Sequence, residues 1–565
     1  MIQIDSDSIL PNIDVNFRVS AGPGAGKTYW LVQHLKSVLR DSTRLGKSGK
    51  VSCITYTNIG ADTIMSRLGP SADRVEVSSI HRFLYKNIVR PYLSFVAEEF
   101  GVNIERVDGH TDSILSNYTF LNEWKTQSKQ NRITDDQEIV KAFKDLRWKF
   151  DANGELLVNT SYPHKIDGYA IKKASYLLYK RLAWGHGVLH HDDVLFLSYQ
   201  ILLKFPFVLS ALVARFPYFF VDEFQDSNPI QVSIIKMLGQ RGAFIGIIGD
   251  IAQSIYGFQG AEPQQFQEFT LPGLIDYIMS GNRRSSNQIV DLLNLTRKDI
   301  TQVAHRKVDL ALPRIFVGHS NAAYQAAKLL CQPQAVHSLS RDNLTSNVMR
   351  RELGAGVFDR RLIPALLIAD SNDARRSFVI ACIKSVELAR QCNFKDAIKE
   401  LRKGLRRNPS YKEEDRVAIK LIMRLLAGYA EFSKMTLLDF SHYLRSTFAV
   451  DTSKVTAGKT KIFYEKTSYQ EIALCVNIGE DLSLHKTVHK AKGDEFDNVL
   501  IVLPDSSRFD FILSPDLLSS KEKSEEQRVN YVGISRAKNR LFICVPELSS
   551  EYRISLGNYF DIEDL

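Results

Sequence analysis

The chain of 565 residues is poor in cysteine: Cys53, Cys331, Cys382, Cys392, Cys475 and Cys544 are scattered, and no two stand in Cys-x-x-Cys spacing. A disulfide framework or a cysteine zinc site is therefore not expected, and a reducing, cytoplasmic setting is. Long apolar runs are also missing. No stretch approaches the ~20 apolar residues that span a bilayer, so no membrane partner is expected. The opening residues, Met-Ile-Gln-Ile-Asp-Ser-Asp-Ser, carry neither a basic n-region nor an apolar h-region, so they do not read as a signal peptide. Acidic residues are outnumbered: 73 Lys and Arg against 64 Asp and Glu give a net charge of +9, which admits a polyanionic partner. The length suits three or four domains with large cores.

What is present starts at residue 15. Val15 to Val19 alternates like a strand, and Tyr29 to Leu35 has helical apolar spacing. Between them runs Ala21-Gly22-Pro23-Gly24-Ala25-Gly26-Lys27-Thr28. A strand, a glycine-rich turn and Lys-Thr opening a helix form the P-loop context. Glycines let the backbone approach phosphate oxygens, and the amides of the turn point at the anion. Lys27 would reach the β- and γ-phosphates, and Thr28 would hold Mg²⁺. The strict pattern has Gly where Ala21 stands.

Further strand-like runs follow at 51–58 and 74–81, with a helix at 60–68 between them; strands alternating with helices imply a parallel sheet. From 91 to 200 helical periodicity dominates and strand signals fade. Trp124, Trp148 and Trp184 read as core anchors there. His190-His191-Asp192-Asp193 suggests either a metal site or a helix start with acids at the positive end of the dipole, and the helix start is the expectation. The apolar run Tyr218 to Val221 ends in Asp222-Glu223, a Walker B arrangement: Asp222 for Mg²⁺, Glu223 to polarise the attacking water. A second buried strand, 243–250, leads into Gln253, placed to sense a γ-phosphate. Tyr256 and Phe258 follow in a glycine-rich loop, either to stack on bases or as core. Segments 313–317 and 364–369 read as strands of a second lobe. Lys399, Arg402, Lys403, Arg406 and Arg407 form a basic cluster, either a solvated face or a contact surface.

Four motifs in this order closely resemble superfamily-1 DNA helicases of the UvrD/Rep/PcrA kind: the loop at 21–28, Asp222-Glu223-Phe224-Gln225-Asp226, Gly249 to Ala261, and Asn282-Arg283-Arg284-Ser285. That family also carries Ala at the place of Ala21. Two later stretches, Lys486 to Phe496 and Glu526 to Ala537, resemble its last motifs. The resemblance implies an α/β fold of two RecA-like P-loop lobes with parallel sheets, each carrying a mainly helical insertion. The expected segments are 1–90 and 201–278 for the first lobe with its insertion at 91–200, and 279–375 and 483–565 for the second with a reduced insertion at 376–482.

The resemblance further implies ATP and Mg²⁺ as ligands and a 3′-to-5′ motor on single-stranded or duplex DNA. It assigns Glu223, Gln253, Arg284 and the arginine finger Arg536 to hydrolysis. The loop 21–28, Arg283 and Glu495 would contact nucleotide. Tyr56, Thr57, His81, Tyr256, Phe258, Thr487 and His489 would contact DNA. Arg283 stands where the family has a tyrosine that stacks on adenine; a guanidinium plane also stacks, with looser base selection. The family's adenine-reading Gln has no counterpart before residue 20. A second function is implied by compact UvrD-like proteins of two-gene anti-phage systems such as Gabija: an ATPase that senses DNA ends and controls an OLD-like partner nuclease. The short second insertion and the lack of a nuclease module by residue 565 lean that way.

Overall fold

The apolar segments around 17–21, 51–54, 75–78, 218–221 and 244–249 all form strands, and they lie in one parallel sheet. The computed structural model describes residues 1–56, 58–111, 114–160, 165–166, 169–351, 362–370, 372–405, 414–448, 453–476, 483–519 and 522–565. These fall into two units: Met1–Ser285 with Leu293–Lys307 and Ser514–Tyr531, and Ser286–Leu292 with Val308–Leu513 and Val532–Leu565.

In the first unit seven strands run in the order Ile2–Gln3, Ile275–Met279, Phe17–Ala21, Phe244–Gly249, Tyr218–Val221, Val51–Ile54, Val75–Ser78, with every pairing parallel. Val51–Ile54 and Tyr218–Val221 are buried at every residue. Strands covered by helices on both faces read as unbroken apolar runs, which is why these show no alternation. The second unit holds six parallel strands in the order His485–Thr487, Val336–Ser340, Phe496–Val502, Ala537–Val545, Arg314–Val317, Asp561–Asp564. Two parallel, helix-covered sheets are the two RecA-like lobes.

The insertion in the first unit is mainly helical, with Tyr118–Gln127, Ala174–Gly185 and His191–Lys204 packed around Trp124, Trp148 and Trp184. Strand structure does not vanish there. Arg147–Phe150 pairs antiparallel with Leu156–Asn159, placing Trp148 opposite Val158. The second insertion packs Asp373–Ala389, Phe394–Leu405, Glu414–Ala427 and Leu437–Phe448 around Ile383, Leu401, Leu425 and Phe440. The strand expected at 364–369 is instead the helix Leu362–Ala369. An all-apolar run has no period to separate strand from helix. Leu and Ala favour helix, and Pro364 sits in the first turn, where no intrahelical N–H is required. In the basic cluster Arg402 pairs with Asp415 at 3.0 Å and Lys403 with Glu400 at 2.5 Å, a solvated face laced with ion pairs; Arg406 and Arg407 lie outside the described residues. No single helix among the described residues is long and apolar enough to cross a membrane.

The helix Lys27–Asp41 carries a histidine into the first core. His34 stacks on Trp30 at 5.2 Å between ring centroids and meets Phe17 edge-on. Its buried Nε2 has no hydrogen-bond partner. Burial pushes its imidazolium down to about pH 4. The unfolded chain takes up this proton near pH 6.5, and the folded chain only near 4. His34 therefore costs nothing above pH 6.5, and stability falls as pH drops through that window, by about 3 kcal/mol in all. Asp192, raised by burial to about 6, acts in the opposite sense over the same range. Thermal or urea melts of wild type and His34→Phe between pH 7 and 4.5 are expected to diverge only below 6.5, with the variant losing less stability. Parallel curves would contradict the assignment.

Candidate nucleotide and nucleic-acid site

The strand Phe17–Ala21 ends at the glycine-rich turn, and Lys27 opens the helix. Gly24 and Gly26 have φ of 71° and 86°, the left-handed region that suits glycine. A Cβ on Gly24 would come within 2.6 Å of Asn282 Oδ1 and 2.8 Å of Arg284 Cβ. Gly26 is the N-cap of the helix, which has no side-chain cap. Its first-turn N–H groups are thus kept for an anion, and the residues fit a phosphate chain. The Lys27 ammonium folds back on the Ala21 carbonyl at 3.2 Å.

Several further segments leave the parallel sheet at the same end as this turn. Asp222 follows the strand Tyr218–Val221 and is buried. Its amide donates to the Ile54 carbonyl at 2.8 Å, tying it to the neighbouring strand. Glu223 next to it has φ of 54°, a strained conformation for a side chain of this size. Such outliers concentrate at functional sites. Gln225 donates to the Glu223 carboxylate, and its carbonyl oxygen accepts the Asp250 amide at 3.0 Å. Gln253 donates to Asp250 Oδ2 at 2.6 Å. Asn282, fully buried, accepts from the Arg284 and Ser285 amides at 2.9 and 3.0 Å, while the Arg283 amide donates to the Gly24 carbonyl at 2.9 Å. Lys27, Thr28, Asp222, Glu223, Gln253, Arg283 and Arg284 therefore all belong to the first unit. Thr28 and Asp222 supply the hydroxyl and carboxylate oxygens that suit Mg²⁺.

Three contributors escaped the sequence reading. Gln302 donates to the Pro23 carbonyl at 2.8 Å and clasps the turn from outside. Asp5 and Asp7 hold Arg283 Nη2 at 2.8 and 3.1 Å. The Arg283 guanidinium keeps the Asp5 carboxyl below its ordinary range. None of these lies in a motif, and only the fold brings residues 5, 283 and 302 to one turn.

Arg536 belongs to the second unit. It is 3% exposed, and its Nη2 donates to Ser535 Oγ at 2.8 Å and its Nε to the Val532 carbonyl at 3.2 Å. Glu495 is exposed and faces Lys538 at 3.5 Å. Thr487 caps the short helix Val488–Ala491, and His489 lies half-buried within it.

In the first unit Tyr56, His81 and Phe258 line a cavity of about 380 Å³ together with Arg147, Lys180 and His191. Phe258 is 61% exposed. Tyr256 is not an exposed ring: it is 8% exposed and stacks on Tyr56 at 4.4 Å. It backs the platform, and Tyr56 and Phe258 present it. Thr57 lies outside the described residues. At the rear, Asp193 is fully buried and paired with Lys180 at 2.7 Å, and both Trp148 Nε1 and Trp184 Nε1 donate to it at 2.9 Å. Burial alone would raise this carboxyl; the Lys180 ammonium overrides it and holds it below the usual range. His190 is the N-cap of His191–Lys204, so the His-His-Asp-Asp run is a helix start. No group of three His, Cys, Asp or Glu among the described residues is arranged for a metal.

Residues 6–272 match the family model for the UvrD/REP helicase N-terminal domain, and residues 384–547 that for the UvrD-like helicase C-terminal domain. The chain is 21% identical to the ATP-dependent DNA helicase PcrA of Leuconostoc citreum over 93% of its own length and 79% of the relative's. It is 22% identical to PcrA of Staphylococcus aureus (strain Mu50 / ATCC 700699), over 93% and 80%. It is also 26% identical to the Gabija protein GajB of Bacillus cereus (strain HuB5-5), over 50% of this chain and 46% of that protein.

Glu223→Gln keeps the shape of the side chain and removes its charge. Phosphate release is expected to fall by about 10² or more, the usual worth of a group that activates the nucleophile, with ATP still bound. Lys27→Ala is expected to abolish release altogether. Near-normal turnover by either variant would displace the site.

Proposed function

The chain belongs to the UvrD/REP helicase family and is by class an ATP-hydrolysing DNA helicase; from that premise we propose that it steps 3′ to 5′ along single-stranded DNA, using ATP and Mg²⁺ at the turn 21–28. The observation that carries this reading is the unbroken contact path from Glu223 through Gln225 and Asp250 to Gln253, beside a glycine turn on which Arg283 and Arg284 pack.

In this mechanism the amides of 22–28 and the uncapped helix end receive the phosphates. Lys27 exchanges the Ala21 carbonyl for phosphate oxygens. Thr28 and Asp222 would hold Mg²⁺, which would supply positive charge against the phosphate chain. Glu223 accepts a hydrogen bond from the attacking water. Gln253 leaves Asp250 for the γ-phosphate, so its amide reports whether that group is present. Arg284 and the finger Arg536 stabilise the charge that develops on transfer, a contribution worth roughly 10³ to 10⁵ in rate for an arginine finger. Arg283, steadied by Asp5 and Asp7, offers the face of its guanidinium to the base. Every base has such a face, so selection among nucleotides is loose.

DNA bases stack on Tyr56 and Phe258 in the first unit, with His81 near the backbone; Thr487 and His489 serve the second. Each stacked base contributes roughly 1–3 kcal/mol. DNA contacts on both lobes let turnover alternate the grip and advance the strand.

Single-stranded DNA is expected to stimulate ATP hydrolysis, and a 3′-tailed duplex to be opened while a 5′-tailed one is not. Phe258→Ala is expected to weaken the DNA response and to leave basal turnover alone. A rate indifferent to DNA would refute the motor. Stimulation without displacement would instead favour a DNA-end-sensing ATPase that acts with a partner nuclease.

A further inference from the structure

Arg297 lies in no motif, yet it is one of the most constrained side chains in the first unit. The Arg297 and Asp250 side chains are both 0% exposed. Arg297 Nη1 donates to Asp250 Oδ1 at 2.9 Å and Oδ2 at 3.1 Å, and to the Tyr531 hydroxyl at 3.1 Å. Its Nε and Nη2 are held by Asp299 at 2.8 and 2.6 Å. Asp250 is the carboxylate that Gln253 grips. Tyr531 lies five positions before Arg536, on the helix Glu522–Ile534. One turn earlier on that helix, Arg528 Nε donates to the Ser254 carbonyl at 2.6 Å, directly after Gln253. The middle of the helix thus packs against the residue after Gln253, and the chain passes into the second unit after Tyr531.

We propose that Arg297 is the positioning residue that couples Gln253 to the helix Glu522–Ile534, whose end leads into the turn that carries Arg536. The proposal rests on the nucleotide reading above and adds the route by which the state of the γ-phosphate is transmitted. While Gln253 donates to Asp250, that carboxylate is shared between an amide and Arg297. When Gln253 turns to a γ-phosphate, Asp250 Oδ2 loses its neutral donor and leans on Arg297, the Ala252 amide remaining on Oδ1. Arg297 is pinned by Asp299 and cannot follow freely. The adjustment falls on its remaining partner, the Tyr531 hydroxyl, and through it on the helix. A buried charge-assisted pair suits this task, because neither partner can trade the other for water.

The test uses the full chain with ATP, Mg²⁺ and saturating oligo-dT. Arg297→Lys keeps the charge and loses the fork that spans Asp250, Asp299 and Tyr531. Its DNA-stimulated kcat is expected to fall about tenfold or more, as for misplaced catalytic groups. KM for ATP and Kd for oligo-dT should stay at wild-type values, the mark of an interaction used only in turnover. Tyr531→Phe, which leaves the buried ion pair whole, should lower the same parameter by less, and it keeps the test open if the lysine variant folds poorly. Wild-type kcat in a folded variant, or a raised KM with kcat kept, would overturn the proposal. Hydrogen exchange supplies a readout besides activity. A non-hydrolysable ATP analogue should slow exchange at 27–41 and at 522–534 in wild type, and only at 27–41 in Arg297→Lys. Slowing at 27–41 alone in wild type would overturn the coupling and spare the nucleotide site. No slowing at 27–41 would refute the nucleotide reading, and the coupling with it.

Discussion

A carboxylate fully removed from water sits at the centre of the first unit, and much of the site follows from the need to satisfy it. Asp250 accepts from the Ala252 amide, the Gln253 side chain and both faces of Arg297's Nη1 contact. A lone buried carboxylate would cost several kcal/mol, so these partners cannot be lost singly. They come from residues 250–253 and 297, with Tyr531 behind them. The ion pair therefore fixes three chain segments far apart in sequence, and it fixes them at the loop that follows the central strand Phe244–Gly249.

The glycine turn imposes a second constraint, one of space. The strand Ile275–Met279 pairs with Phe17–Ala21 in parallel, so the segment that follows it, 281–285, is delivered to the end of the strand at which the turn begins. Only a residue without a side chain at 24 leaves room for Asn282 and the Arg284 Cβ. Asn282 then ties two successive amides into a fixed bend. The Arg pair at 283 and 284 is set by sheet register and by the absence of one methyl group, before any charge interaction is counted. Asp5, Asp7 and Gln302 add only the outer clasp.

The chemistry of the site was largely legible because it is written in short, local patterns. A turn that cradles phosphate needs glycine at fixed spacing, and a magnesium carboxylate needs the end of a buried strand; both survive in linear form at 21–28 and 218–223. The parallel fold was legible for the same reason, since strands buried on both faces are plain apolar runs. That signal also misled at 364–369, where an equally apolar run is a helix. The inward turn of Tyr256 was not readable, because Tyr56, which covers it, is 200 positions away. Arg297 and Gln302 were silent for a related reason. A single Arg or Gln in a helix or loop has no local signature, and its role exists only once the sheet has closed.

The helix Lys27–Asp41 has a bare N-terminus, as do Ala174–Gly185 and Pro206–Arg215, but only this one opens directly from the glycine turn. Helices beginning at Ile80, Tyr118, Pro229, Ser320, Asn343 and Tyr469 each receive a side-chain cap. The helix at the glycine turn forgoes that bond, worth about 1 kcal/mol. Its first turn is therefore the least secured part of the sheet's largest neighbouring helix when the turn holds nothing, and an anion supplies what the sequence withholds. Ligand affinity and local folding are then one quantity seen twice: Gly26, at φ of 86° and with Ser6 2.8 Å from where a Cβ would stand, leaves no place for a side-chain cap, so an anion that binds the turn also completes the first turn of the helix.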